Sequence, residues 1–140
     1  MIFQLDVEYD GTDKLIQDIL IHIKSHNFTN PEKAEMKIKE LDPFFLDLIK
    51  RWGLGNKILN PRVHFMLPDA DHQAGHNHST DTGIYYLQIP KNSGNLVFPN
   101  LNIEIEPHEG LFLVVPAKEI HTITENKSDG IRLALAFCIE

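Results

Sequence analysis

The sequence predicts a mainly β fold with N-terminal helices: a double-stranded β-helix, or jelly roll, with the helices packed against its outside. Three observations lead there. Apolar residues recur at helical spacing up to about residue 60, and after Asn60-Pro61 the apolar period falls to two. The second half is cut into short β-branched and aromatic runs by Pro, Gly, Asn and Asp. Histidines and an arginine fall where strands of a small barrel can converge on one point. A chain of 140 residues, 42% of them hydrophobic, suits one domain with its own core. The expected organisation is a single domain over 1–140, with a helical part in 1–60 and the jelly-roll core in 61–140.

In chain order, residues 2–8 alternate weakly and read as an edge strand. Residues 13–25 place Leu15, Ile16, Ile19, Leu20 and Ile23 on one helical stripe, with Thr12 or Asp13 positioned to cap. Asn30-Pro31 reads as cap and first residue of a polar helix ending near Glu40. Asp42-Pro43 repeats that signal before a stripe of Leu41, Phe45, Leu48, Ile49 and Trp52, closed by Gly53 and Gly55. Strands are expected at 63–67, 84–89, 95–98, 101–106, 111–115, 119–124 and 131–139, with a polar loop over 68–75.

The formal charge is −7, from 13 basic and 20 acidic residues, which disfavours nucleic acid and anionic membrane surfaces as partners. Cys138 is the only cysteine, so an intrachain disulfide is excluded, and its apolar surroundings suggest an inert thiol. There is no apolar run of 18 residues and no basic-then-apolar leader at the start, so the expected compartment is the cytoplasm.

Four of the eight histidines lie between Arg62 and His78. His76 and His78, two apart, share one face of an extended segment and can chelate one ion. Alone, such a pair occurs by chance in polar loops. His121 strengthens it: it follows a Gly110…Pro116 segment, early in a later strand. On the last strand Ile131, Leu133, Leu135 and Phe137 share one face, and Arg132, Ala134 and Ala136 share the other. An arginine beside two alanines either points into a space kept open by small residues, where it suits a carboxylate, or simply faces solvent. Tyr86 shares a face with Ile84 and Gln88, and reads either as a hydroxyl donor inside the barrel or as an ordinary strand aromatic. Asp71, His72 and Gln73 read either as the rim of an entrance or as solvated loop residues.

Together these residues resemble the 2-oxoglutarate/Fe(II)-dependent dioxygenase superfamily, over about His76 to Phe137. The matching pieces are His76-Asn77-His78, Gly83-Ile84-Tyr85-Tyr86-Leu87, Pro90-Lys91-Asn92-Ser93-Gly94, Pro107 through Pro116, His121, and Arg132 through Phe137. The Ile-Tyr-Tyr-Leu strand is similar to that of prolyl hydroxylases. The resemblance implies Fe(II), 2-oxoglutarate and O₂, with His121 as the distal iron ligand and Arg132, assisted by Tyr86, holding the far carboxylate of the co-substrate. One position departs from the pattern. Where the superfamily places Asp or Glu two residues after the first histidine, this chain has His78. The expected ligands are therefore His76, His78 and His121, with Asp81 as the fallback should Ser79-Thr80 turn. An all-histidine set compensates Fe(II) charge less than one containing a carboxylate, which keeps zinc and nickel as alternatives.

The same H-x-H, with Gly110, Pro116, His121 and Asn126, also resembles the two cupin motifs, although the glutamate expected after H-x-H is absent. A cupin-type metalloprotein that does not use 2-oxoglutarate is the second reading. A non-enzymatic jelly-roll interaction protein, with the exposed face Asn102, Glu104 and Glu106 towards a partner, is the third. The substrate is left open between a small molecule and a protein side chain, and self-association is allowed.

Overall fold

The structure, a computed structural model, describes residues 2–25 and 33–140. The elements are β1 (Phe3–Asp6), α1 (Thr12–Ser25), β2 (Lys33–Lys37), α2 (Pro43–Arg51), β3 (Ile58–Met66), β4 (Gln73–His76), β5 (Asp81–Gln88), β6 (Leu96–Phe98), β7 (Ile103–Ile105), β8 (Leu111–Val115), β9 (His121–Ile123) and β10 (Arg132–Ile139). A six-stranded sheet, ordered β1-β8-β5-β10-β3-β2, lies over a four-stranded sheet ordered β4-β9-β6-β7. All pairings are antiparallel. This is the jelly roll that the sequence predicts, with two helices outside it.

Alternation along the strands divides the larger sheet into two faces. Val63, Phe65, Tyr85, Leu87, Phe112, Val114, Leu133, Leu135 and Phe137 pack with Ile19 and Ile23 of α1 and Phe45, Leu48 and Ile49 of α2. The opposite face turns towards the smaller sheet, where Tyr86, Leu111, Leu113, Val115 and Ala134 meet Leu96, Phe98 and Ile105. Covered on both sides, β8 and β10 bury nearly every residue. Gly83 is required by this packing: a Cβ there would stand 2.6 Å from the Phe137 ring.

Helix ends follow local chemistry. Asp42 caps α2, accepting from Phe44 N–H at 3.0 Å, with Pro43 in the first turn. Gly53, at φ +65°, ends it. The Gly53 and Leu54 amides donate back to the Lys50 and Ile49 carbonyls, a Schellman closure. Trp52, expected on the buried stripe, stays 48% exposed and meets Phe3 in an edge-to-face contact. Thr12 opens α1 rather than capping it, its hydroxyl donating to the Tyr9 carbonyl.

Two expectations are corrected. Where a polar helix is expected up to Glu40, Lys33–Lys37 is instead strand β2, paired with β3 from Lys33↔Met66 to Lys37↔Arg62. Exposed Glu35 and Lys37 alternate with half-buried Met36 and Ile38. Residues with good helix propensity here yield to the unpaired edge of β3. The Asn30-Pro31 cap lies outside the described residues. The first 60 residues are thus not only helical: they supply both edge strands of the larger sheet. The strand expected at 63–67 begins earlier, at Ile58. It runs through Pro61 because the β3–β10 register shifts between Ala136↔Arg62 and Cys138↔Leu59, leaving a bulge where proline needs no ladder partner.

Candidate metal centre and anion pocket

Short strands of the smaller sheet bring the histidines together. β4 and β9 pair so that His76 lies directly opposite His121, and His78 follows just beyond β4. The His76 and His121 ring centres are 4.2 Å apart, and His78 lies 5.0 and 5.4 Å from them. One ring nitrogen from each falls within 4.8 Å of the other two, close enough to share one ion. His121 is buried, and its Nδ1 lies 3.1 Å from the Glu119 carbonyl. A carbonyl only accepts, so Nδ1 carries the proton and Nε2 keeps the lone pair that binds metal. His76 Nδ1 stands 3.3 Å from the Ala74 carbonyl and 2.8 Å from the Gln73 side-chain nitrogen, which only donates, so only the His121 tautomer follows from its partners.

Asp81 is not in this group. It opens β5, and its carboxylate accepts from the Ala117 amide at 2.8 Å. Asn126, five residues beyond His121, is not a ligand either. Fully buried, it donates to the Met66, Leu67 and Gly130 carbonyls and accepts from Ser128, joining the end of β3 to the turn before β10. Asp71 and His72 are exposed and pair with each other away from the histidines. Gln73 is the exception in that segment: it belongs to β4, and its amide lies 2.8 Å from His76 Nδ1.

Arg132 and Tyr86 face inward from the larger sheet. Arg132 is only 2% exposed, with its guanidinium carbon 5.3 Å from the centre of the Tyr86 ring. Its Nε and Nη2 are buried without a hydrogen-bond partner. Burial pushes the Tyr86 hydroxyl above its usual range and the Arg132 guanidinium below its own, and each partly offsets the shift of the other. Ala134 and Ala136 continue the same face and leave the space that sequence alternation suggests. A cavity of about 40 Å³ results, lined by Arg132 and Tyr86, by all three histidines, and by Arg62, His64 and Thr82. Arg62 and His64 escape notice in the sequence, although they alternate with helix-facing Val63 and Phe65 as Arg132 alternates with Leu133.

No protein-family profile matches the chain. No curated protein matches it in sequence. Its fold, however, is shared with many solved structures. A viral collagen prolyl hydroxylase from Paramecium Bursaria Chlorella virus-1, in complex with 2OG, superposes with TM-score 0.74 at 15% identity, over 98% of this chain and 93% of that one. A Pseudomonas putida prolyl-4-hydroxylase gives 0.70 at 16% identity, over 99% and 92%. A cupin domain from Bordetella pertussis gives 0.52 at 14% identity, over 81% and 99%. The architecture is therefore the jelly roll common to 2-oxoglutarate oxygenases and cupins. Among the described residues, no helix is long and apolar enough to cross a membrane.

Proposed function

We propose that the chain is a 2-oxoglutarate- and Fe(II)-dependent oxygenase, with the metal on His76, His78 and His121 and the far carboxylate of 2-oxoglutarate on Arg132 beside Tyr86. The observation that carries this reading is the pair of unsatisfied buried donors, Nε and Nη2, on the Arg132 guanidinium. A buried cation with unpaired donors is strongly disfavoured unless an anion completes it. The cavity that contains it is also lined by a cluster of imidazoles suited to a divalent metal. The donor set fits the metal, and the orphaned fork fits a carboxylate.

Bound iron supplies the dioxygen chemistry that oxidises a substrate C–H bond. The chain supplies the rest. The Glu119 carbonyl fixes the His121 tautomer, and Gln73 packs against His76. Arg132 offers two parallel N–H groups to one carboxylate, and the Tyr86 hydroxyl, kept protonated by burial, adds a neutral donor. The apolar lining from Ile84, Leu96, Ile123 and Ala134 excludes water from the reacting volume. Because all three ligands are neutral, the charge of the metal is left for the co-substrate dianion to offset.

That neutral set is also the observation favouring a second reading, a cupin-type zinc or nickel site that takes no 2-oxoglutarate. Anaerobic titration of the Fe(II)-loaded chain with 2-oxoglutarate separates the two. The oxygenase gives a visible charge-transfer band that Arg132→Met abolishes. Stoichiometric metal without the band selects the cupin reading, and no stoichiometric metal selects a non-enzymatic jelly roll.

A further inference from the structure

A second buried arginine lies at the metal end of the same cavity. Arg62 stands opposite Ala136, while Arg132 stands opposite Met66. The two attachment points are thus four residues apart along β10, about 13 Å at strand rise. Arg62 is 4% exposed. Its Nη1 donates to the Asn60 carbonyl at 2.9 Å and approaches Cys138 Sγ at 3.9 Å. Among the described residues no carboxylate lies within ion-pair distance of it, and Nε and Nη2 make no hydrogen bond. The bulge at Pro61 immediately before it is the kind of irregularity that re-aims a side chain beside a functional site.

Two further features mark this end as a place for a ligand. Thr82 Oγ1 is buried without a partner on the other flank of β10, opposite Cys138, and lines the same cavity as Arg62 and small Ala136. Arg62, His64, Gln73, His76 and His78 also line an open groove of about 380 Å³, so Arg62 faces both the metal centre and the entrance. Glu35 lies on the rim, 3.7 Å from His64, and favours a ligand with one negative charge over a dianion.

Resting on the oxygenase reading, we infer that Arg62 is a specificity-determining residue that receives a carboxylate of the substrate, entering through this groove to lie beside the metal. Arg132 holds the co-substrate at the closed end, and Arg62 anchors the molecule to be oxidised at the open end. The substrate class is a small carboxylic acid or a chain ending in a free carboxylate.

The test uses the full chain loaded with Zn(II), which binds without turnover, and saturated with 2-oxoglutarate. N-acetyl amino acids are titrated calorimetrically against their primary amides. The carboxylates should bind at least about tenfold more tightly than the amides, the scale of one charge-assisted bond. Arg62→Met should remove that preference while leaving 2-oxoglutarate affinity within about twofold, and Arg62→Lys should keep part of it. Zinc stoichiometry reports folding; should Arg62→Met fail it, a several-fold loss of preference in Arg62→Lys decides. Equal or undetectable binding of acid and amide overturns the inference. So does an undiminished preference in the variants, or a loss of 2-oxoglutarate binding as complete as in Arg132→Met, which would put Arg62 in the co-substrate pocket. If 2-oxoglutarate itself does not bind, the oxygenase reading falls, and the acid–amide comparison on the zinc protein alone still tests Arg62.

Discussion

The two faces of the six-stranded sheet are built from alternate residues of the same strands, yet they obey different rules. The face towards the helices is aromatic and aliphatic, closed by Phe45, Phe65, Phe112 and Phe137, and Gly83 has no room for even one more carbon. The face towards the smaller sheet carries Arg62, Arg132, Thr82 and Tyr86 among alanines and aliphatics, and has buried polar atoms without partners. One face supplies cohesion. The other is left under-packed and under-satisfied, which a ligand can correct and a hydrophobic core would not tolerate. Strand alternation lets a small chain keep both without a separate scaffold.

Substitutions on each face should separate these roles. The largest effect is expected from Phe137→Ala on the helix side. It deletes a fully buried ring stacked on Phe112 and should cost about 3–5 kcal/mol in urea unfolding. On the inner side, Arg132→Met should leave stability unchanged or raise it by about 1 kcal/mol, because it replaces a buried cation with two unsatisfied donors by an apolar chain of similar length. The same variant should weaken 2-oxoglutarate binding to the metal-loaded chain by more than about tenfold. A marked loss of stability there would erase the contrast between the faces.

The smallest effect concerns pH. The Tyr9 hydroxyl donates to Asp42 at 2.9 Å, and burial, with help from that carboxylate, pushes its pKa up from 10.0 to about 12. A raised folded pKa means that the native state holds the proton more tightly. The associated stability is complete below pH 10 and drains away as pH climbs through 12. Tyr9→Phe should therefore unfold with a shallower pH slope above 10, while the inner Tyr86, also raised, contributes equally to both proteins. Identical slopes would remove Tyr9 from the account.

Much of this was legible in the sequence because alternation is a strong signal where both faces are buried. The split of β10 into Leu133, Leu135 and Phe137 against Arg132, Ala134 and Ala136 is what the structure displays, as is the division between Tyr85 and Tyr86. His76, His78 and His121 converge because a jelly roll returns β9 to β4. Illegible features are those set by partners far away in the chain. Lys33–Lys37 has helix-forming composition and becomes a strand only because β3 offers an edge. Asn126 carries a motif position but serves as a buried junction. Arg62 was hidden by Asn60-Pro61, which reads as a break before a strand at 63–67 and is instead a bulge within a longer one.

The brevity of β4 has a consequence of its own. This strand holds its neighbour at only two registers, Gln73↔Ile123 and His76↔His121, and contains Gly75 between them. Two of the three imidazoles therefore lie on or just beyond an edge strand of the smaller sheet, and the third on a strand paired on both sides. A cation held by all three would fasten that edge strand to its neighbour through side chains where the backbone ladder is short.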